Sequence, residues 1–274
     1  MSETFHMASL AEWSPLRGRL RAGGWVVDIW HEPVHPGAVS FDDYLVTTLP
    51  GGRLRLAAID AAVNEAAGLR GRLWGHQATG EVRAQLRHVP TLTGALARAH
   101  HNLFDASRPP MFNPMAACMA VDLDLEQPSG DFAQAGDCEV WVRDAAGWHN
   151  RTTPALASEA SRAWRAWLAA NPGVSPARRW RAQAHLLGDP AAWTCPAVGA
   201  FDQITPQVGV FADVEEVVVT SDGARLTRRA LERGLRPHLE DSLQRTPPDH
   251  PHPWPHGDLA VLHARYQPQD DPQH

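Results

Sequence analysis

Residues Glu215 to Leu226 read EEVVVTSDGARL. Four β-favouring residues, Val217 to Thr220, run straight into Ser221-Asp222-Gly223, and a segment of helical composition follows. A short apolar run closed by Asp-Gly is a strand that stops at a sharp turn, with a carboxylate fixed at its end. The arrangement recurs upstream, where Leu54 to Ile59 (LRLAAI) ends in Asp60, and two further aspartates stand at strand edges: Asp137 ahead of CEVWV and Asp258 ahead of LAVLHA. These four carboxylates read as one site. Carboxylate oxygens are the ligands that hard divalent cations accept, and strand ends hold them more rigidly than loop tips do. Crowding negative charge is costly unless cations sit among it. The competing reading makes each one a turn or cap residue, the commoner role for a single Asp after a strand.

Outward from that stretch, the chain resolves into strands and helix pairs. Trp25 to Trp30 reads as a strand after a polar, irregular segment 1–22. Tyr44 to Leu49 and Leu54 to Ile59 flank Pro50-Gly51-Gly52 as a hairpin, with Asp42-Asp43 at its open end, so that the hairpin brings Asp43 beside Asp60. Helical composition runs from about Trp74 to His88, and Leu92, Leu96, Ala99 and Leu103 fall on one helix face. Ala116 to Leu123, Phe132 to Ala135 and Glu139 to Val142 are strands, the last two separated by Gly136-Asp137. Leu156 to Ala170 and Pro176 to Leu187 are helices, Gly188 to Pro206 is irregular and a candidate mobile flap, and Leu226 to Arg233 and Arg236 to Arg245 are helical. A Pro/His loop from Thr246 to Gly257 precedes the last strand, Leu259 to Ala264. Its His250, His252 and His256 read as an extended linker in preference to a metal-collecting loop. Strand runs with helix pairs between them suggest two sheets packed together and covered by helices. The boundaries drawn are 1–22 for an N-terminal extension, 23–266 for the domain and 267–274 for a polar tail.

Composition narrows the function. The 274 residues are 43% hydrophobic, with no apolar run near the roughly 20 residues that span a bilayer and no secretory leader, so a cytoplasmic protein is expected. A net charge of -6 gives no footprint for nucleic acid. Cys118, Cys138 and Cys195 are far apart and lack a CxxC pair, which suits buried hydrophobes better than a disulfide framework or zinc. The basic residues are all arginine, and Arg178, Arg179 and Arg181 read as a solvated helix face in preference to an anion site. No Gly-x-Ser-x-Gly, Cys-x5-Arg or Gly-rich phosphate loop supplies a covalent nucleophile or a phosphate cradle.

The order of these pieces resembles the type 2C metal-dependent serine/threonine protein phosphatases, the PPM family, from about Trp25 to Tyr266. Phe41-Asp42-Asp43 resembles the acidic pair of the family's first motif, and LAAIDAAVNEAAG (Leu56 to Gly68) its Asp-Gly stretch. FAQAGDCEVWVRDAAGW resembles its Gly-Asp motif, VVVTSDGARL its Ser-Asp-Gly motif and HGDLAVLHARY its closing Asp motif. The resemblance implies an α+β fold of four layers, α-β-β-α, with two packed, mostly antiparallel sheets flanked by helices. It also implies Mn²⁺ or Mg²⁺, two or three ions, held by Asp43, Asp60, the Ala61 carbonyl, Asp137, Asp222 and Asp258. Asp43, Asp60 and Asp222 would then be the catalytic carboxylates, and a phosphorylated protein the substrate of a monomeric, cytoplasmic signalling enzyme. Departures are also present: Ala61 and Val63-Asn64 replace glycines, Met115-Ala116-Ala117 replaces Gly-Thr-Thr, and Cys138-Glu139 replaces Ser-Arg. Ala38 stands where some members carry a phosphate-binding Arg, and no His follows Asp60 closely. The alternative implied is a weakly active or inactive module of the same fold that binds a partner such as a serine/threonine kinase.

Overall fold

A computed structural model describes residues 18–32, 40–62, 69–109, 112–224, 226–244 and 258–268. Among the described residues eleven strands form two antiparallel sheets. In the first lie β1 (Gly18–Ala22), β2 (Trp25–Glu32), β7 (Glu139–Asp144), β8 (Gly147–Asn150), β10 (Glu216–Thr220) and β11 (Leu259–Tyr266), in the order β1-β2-β11-β10-β7-β8. The second runs β3 (Asp42–Leu49), β4 (Arg53–Ala62), β5 (Met115–Asp124), β6 (Gly130–Ala135), β9 (Gln207–Phe211), in that order.

Alternation of side chains across each strand splits the apolar residues into layers. Leu56, Ala58, Met119, Val140, Val217, Val219 and Leu262 meet between the sheets. On the outer face of the second sheet, Ala57, Ile59 and Ala120 pack under α1 (Leu69–His88) and α2 (Leu92–Leu103), whose Leu92, Leu96, Ala99 and Leu103 are all buried. On the outer face of the first, Val218, Leu259 and Val261 pack under α5 (Arg228–Arg233) and α6 (Leu235–Gln244) through Leu231, Leu235 and Leu239. The result is the expected α-β-β-α sandwich.

A hairpin of helices, α3 (Ser158–Ala170) and α4 (Pro176–Leu187), stands at one end. No residue of α3 is fully buried, and its Trp164 and Trp167 rings stack with centroids 5.3 Å apart. The segment 188–206, expected to be a mobile flap, is instead pinned to the body. Ala116 and Val198 exchange backbone hydrogen bonds of 3.0 and 3.1 Å, and Cys195, Ala200 and Phe201 are buried.

Other departures have local causes. The expected boundary after residue 22 cuts through a hairpin, since β1 pairs along its length with β2; only Leu20 and Ala22 of β1 pack on the core, so alternating arginines made it read as polar. Strands β8 and β9 were not expected: the first is short, and the second exposes Val208 and Val210 on an edge. Arg55, inside an apolar run, is fully buried. Its guanidinium forks onto Asp122 at 2.6 Å through both Nε and Nη2 and donates to the carbonyls of Leu86, Val89 and Pro90, which ties the end of α1 to β4 and β5. Among the described residues no helix is long and apolar enough to cross a membrane. Segments 1–17 and 269–274 of the termini, Ala38, Val63-Asn64, Met111 and the three loop histidines lie outside the described residues.

Candidate metal centre

Strand parity builds the site. On β3, Tyr44 and Val46 face the inter-sheet core while Leu45 faces the helices, so Asp42 faces inward and Asp43 outward. On β4, Leu56 and Ala58 face inward, and Asp60 follows two residues on, directly opposite Asp42 in register. The first sheet repeats the pattern: after Val217 and Val219 comes Ser221, and before Ala260 and Leu262 comes Asp258. Two strands from each sheet therefore deliver polar side chains to one end of the inter-sheet space. Main-chain bonds lock it there. Ser221 N–H donates to the Ala260 carbonyl and Ala260 N–H to Ser221 Oγ, both at 3.0 Å. Phe41 N–H, just ahead of β3, donates to Asp258 Oδ2 across the sheets.

Asp42 is the most constrained member. Burial, followed by repulsion from Asp258, pushes its carboxyl up to about 8, against opposing hydrogen bonds from Ser221 and Asp60. Its Oδ2 is buried without a hydrogen-bond partner among the described residues. Asp60 is raised well above the usual carboxylate range by desolvation and then by the charges of Asp42, Asp222 and Asp137. Asp137 is raised by desolvation, an effect that its exposed side chain limits. Asp222, on a single 3₁₀ turn (Asp222–Ala224) after β10, is exposed and acts on both Asp42 and Asp60.

The structure thus brings Asp60, Asp137, Asp222 and Asp258 to one end and sends Asp43 elsewhere. Asp43 turns to the helix side, 2.7 Å from the Arg83 guanidinium of α1, with its Oδ1 accepting from Tyr44 N–H. The carboxylate facing Asp60 is that of Asp42. The signal was present in the sequence: Tyr44 and Val46 share parity with Asp42, and a choice between neighbouring aspartates is a choice between two faces of one strand. Ser221 was read only as part of a turn, whereas it bonds Asp42. Ala61 continues β4 as a buried residue, and among the described non-glycine residues only Asp213 has a positive φ, so Ala61 needs no glycine-like backbone.

Gly136 does. Its φ is +84°, and a Cβ there would lie 2.5 Å from Ala117 Cβ, so the turn that carries Asp137 closes against β5 only with glycine. Cys138, where the family pattern has Ser, is buried between the sheets with its thiol held protonated by desolvation and by Asp60 and Asp137. Glu139 points to the outer face and accepts from the Trp141 indole at 2.8 Å.

The donor set fits a hard divalent cation: oxygen donors, carboxylates close enough to raise one another, and on Asp42 a buried oxygen with no hydrogen-bond partner among the described residues. Among the described residues no group of three or more such side chains is already set to hold an ion. Closing the cage requires movement of side chains, and the exposed Asp137 and Asp222 have room for it.

Comparison with family models and with curated proteins finds no match. Solved structures do match. RsbX, in a crystal structure of its complex with magnesium, superposes with a TM-score of 0.58 at 9% identity, covering 91% of this chain and 99% of that one. The serine/threonine phosphatase of S. agalactiae gives 0.59 at 12%, covering 89% and 100%. The PP2C phosphatase domain of SpoIIE from Bacillus subtilis, in a structure that includes part of its regulatory domain, gives 0.58 at 12%, covering 90% and 64%. Identities this low carry the architecture and not the chemistry. With its two antiparallel sheets, flanking helix pairs and near-complete overlap with these structures, the chain has the fold of the bacterial PP2C-type serine phosphatases.

Proposed function

We propose that the protein is a divergent member of the metal-dependent PP2C-type family and hydrolyses phosphoserine or phosphothreonine in proteins. The observation that carries this is the convergence, from four strand ends of two sheets, of Asp42, Asp60, Asp222 and Asp258, with Asp137 beside them, where burial and mutual repulsion push Asp42 and Asp60 above the usual carboxylate range. Such crowding is unfavourable in a protein with no use for it. Asp42, Asp60, Asp222 and Asp258 would hold Mg²⁺ or Mn²⁺, with the Ala61 carbonyl and Asp137 as further oxygen donors. When bound, such ions make hydroxide accessible from water near neutral pH and neutralise a phosphoryl group under in-line attack.

The chain's own contribution is position. Ser221 and the Asp60 carboxyl orient Asp42; Phe41 N–H orients Asp258; the Ser221–Ala260 bonds fix the separation of β10 and β11 at the point where both enter the site. No covalent nucleophile is required, consistent with Cys138 being buried and protonated. A phosphorylated protein is then the partner, and a single chain is sufficient for the site.

The test is hydrolysis of p-nitrophenyl phosphate and a phosphothreonine peptide with and without Mn²⁺, for the wild type and Asp60→Asn. Metal-stimulated turnover lost in the variant supports the proposal; a folded wild type with no metal-stimulated rate refutes it. The second reading, a non-catalytic module that binds a protein partner, is favoured by the open arrangement of the carboxylates and by Cys138 and Glu139 beside Asp137. It predicts no turnover and no metal response.

A further inference from the structure

A cavity of about 190 Å³ opens beside the carboxylates. Asp60 and Asp137 form one wall; Met115, Ala197, Trp180 of α4 and Trp193 are among its apolar lining. The walls come from different parts of the chain, and α4 closes one side. Trp193 is pinned, its indole N–H donating to the Leu187 carbonyl at 2.7 Å and its ring edge-on to Phe201. Trp180 is 8% exposed, and its indole nitrogen is buried with no hydrogen-bond partner among the described residues. Among the described residues the lining contains no Arg and no His, and its charged groups are Asp60 and Asp137.

We infer that this cavity receives an apolar side chain of the phosphoprotein substrate, from a residue within two positions of the phosphorylated serine or threonine. The inference rests on the phosphatase reading of the adjoining carboxylates and adds the substrate class. Continuity decides the occupant: a chain whose phosphate meets Asp60 and Asp137 places its neighbouring residues against Trp180 and Trp193. Size agrees, since 190 Å³ is below the roughly 300–1,000 Å³ of drug-sized ligand sites and suits one leucine- or methionine-sized group. Charge agrees as well. The apolar wall of Met115, Trp180 and Trp193 would desolvate a carboxylate without pairing it, so the same pocket that accepts leucine rejects an acidic neighbour.

The experiment uses phosphothreonine peptides identical except for Leu, Gly or Glu placed singly at each of the two positions on either side of the phosphothreonine. Both kcat/KM and Kd are measured with Mn²⁺ present, the latter by fluorescence anisotropy of labelled peptides. At one position Leu exceeds Gly by about 10-fold, and Glu falls below Gly. Gln183→Phe, which fills the cavity from the partly exposed rim of α4, lowers the Leu:Gly ratio to below about 2-fold. The ratio is taken within each protein, so a loss of folded fraction cancels. Bound peptides that are never hydrolysed refute the catalytic reading while the Kd ratios still test the pocket. Equal affinities for the three peptides, no binding of any of them, or an undiminished ratio in Gln183→Phe overturns the assignment.

Discussion

Asp42 holds a carboxyl in surroundings that oppose its charge, with burial and Asp258 pushing it up to about 8. If Asp42 holds a cation, as proposed, its buried carboxylate destabilises the metal-free fold, so removing its charge relieves that fold and removes the cation's purchase at once. Asp42→Asn is expected to raise the stability of metal-free protein by about 0.5–2 kcal/mol and to abolish the rise in Tm on adding Mn²⁺, both read by thermal denaturation with and without the metal. Asp43→Asn, which only loosens the partly exposed pair with Arg83, leaves the Mn²⁺ effect in place. A second buried charge behaves oppositely. Arg55→Ala strands Asp122 and three carbonyls, with an expected loss of about 3–5 kcal/mol in urea denaturation; a loss below 1 kcal/mol refutes the network. That Asp60, Asp222 and Asp258 stand at the ends of strands was legible, because a short apolar run beside an aspartate is visible in a sequence. Asp42 in place of Asp43 required the parity of Tyr44 and Val46, and Arg55 was hidden because one arginine in an apolar run does not reveal its distant partner.

At the scale of elements, long apolar strands and amphipathic helices were readable, and elements held by their neighbours were not. Strands β4, β5, β10 and β11 announce themselves by composition, and α2 and α4 begin and end where the helical period does. Strands β1, β8 and β9 are edge or near-edge elements with polar or exposed alternate positions, and their pairing supplies what their sequences lack. The turn before β7 shows how one element restrains another. Gly136→Ala must place a Cβ against Ala117 at a φ of +84°, with an expected loss of about 1–3 kcal/mol in urea denaturation; an unchanged midpoint contradicts the close approach. Because Asp137 follows directly, the same substitution should weaken any metal-dependent activity more than it weakens stability.

For the whole molecule, two sets of carboxylates pull stability in opposite directions with pH. Asp28 is buried, which raises its carboxyl, but Arg19 and Arg265 outweigh this and hold it below its usual value; for Glu216, His263 and Arg143 likewise outweigh burial. Their folded values lie below the unfolded ones, so their stabilisation is present above the unfolded pKa, about 4, and disappears as pH falls through the folded values. Asp42 and Asp60 are raised, so between about 4 and 8 the native state holds protons that the unfolded chain has released, and stability falls as pH rises. Metal-free protein is therefore expected to be most stable in mild acid and to lose stability toward pH 8. Added Mn²⁺ recovers it, a pattern that denaturation at a series of pH values checks; Asp28→Asn flattens the acid limb.

The central claim is that side chains from strand ends of two sheets form one cation site. Calorimetric titration of the metal-free protein with Mn²⁺, beside Asp60→Asn, tests it most directly. The account predicts saturable binding of two or more ions to the wild type, with the variant losing most of the heat. A folded wild type that takes up no Mn²⁺, or an Asp60→Asn variant that binds it equally well, contradicts the account.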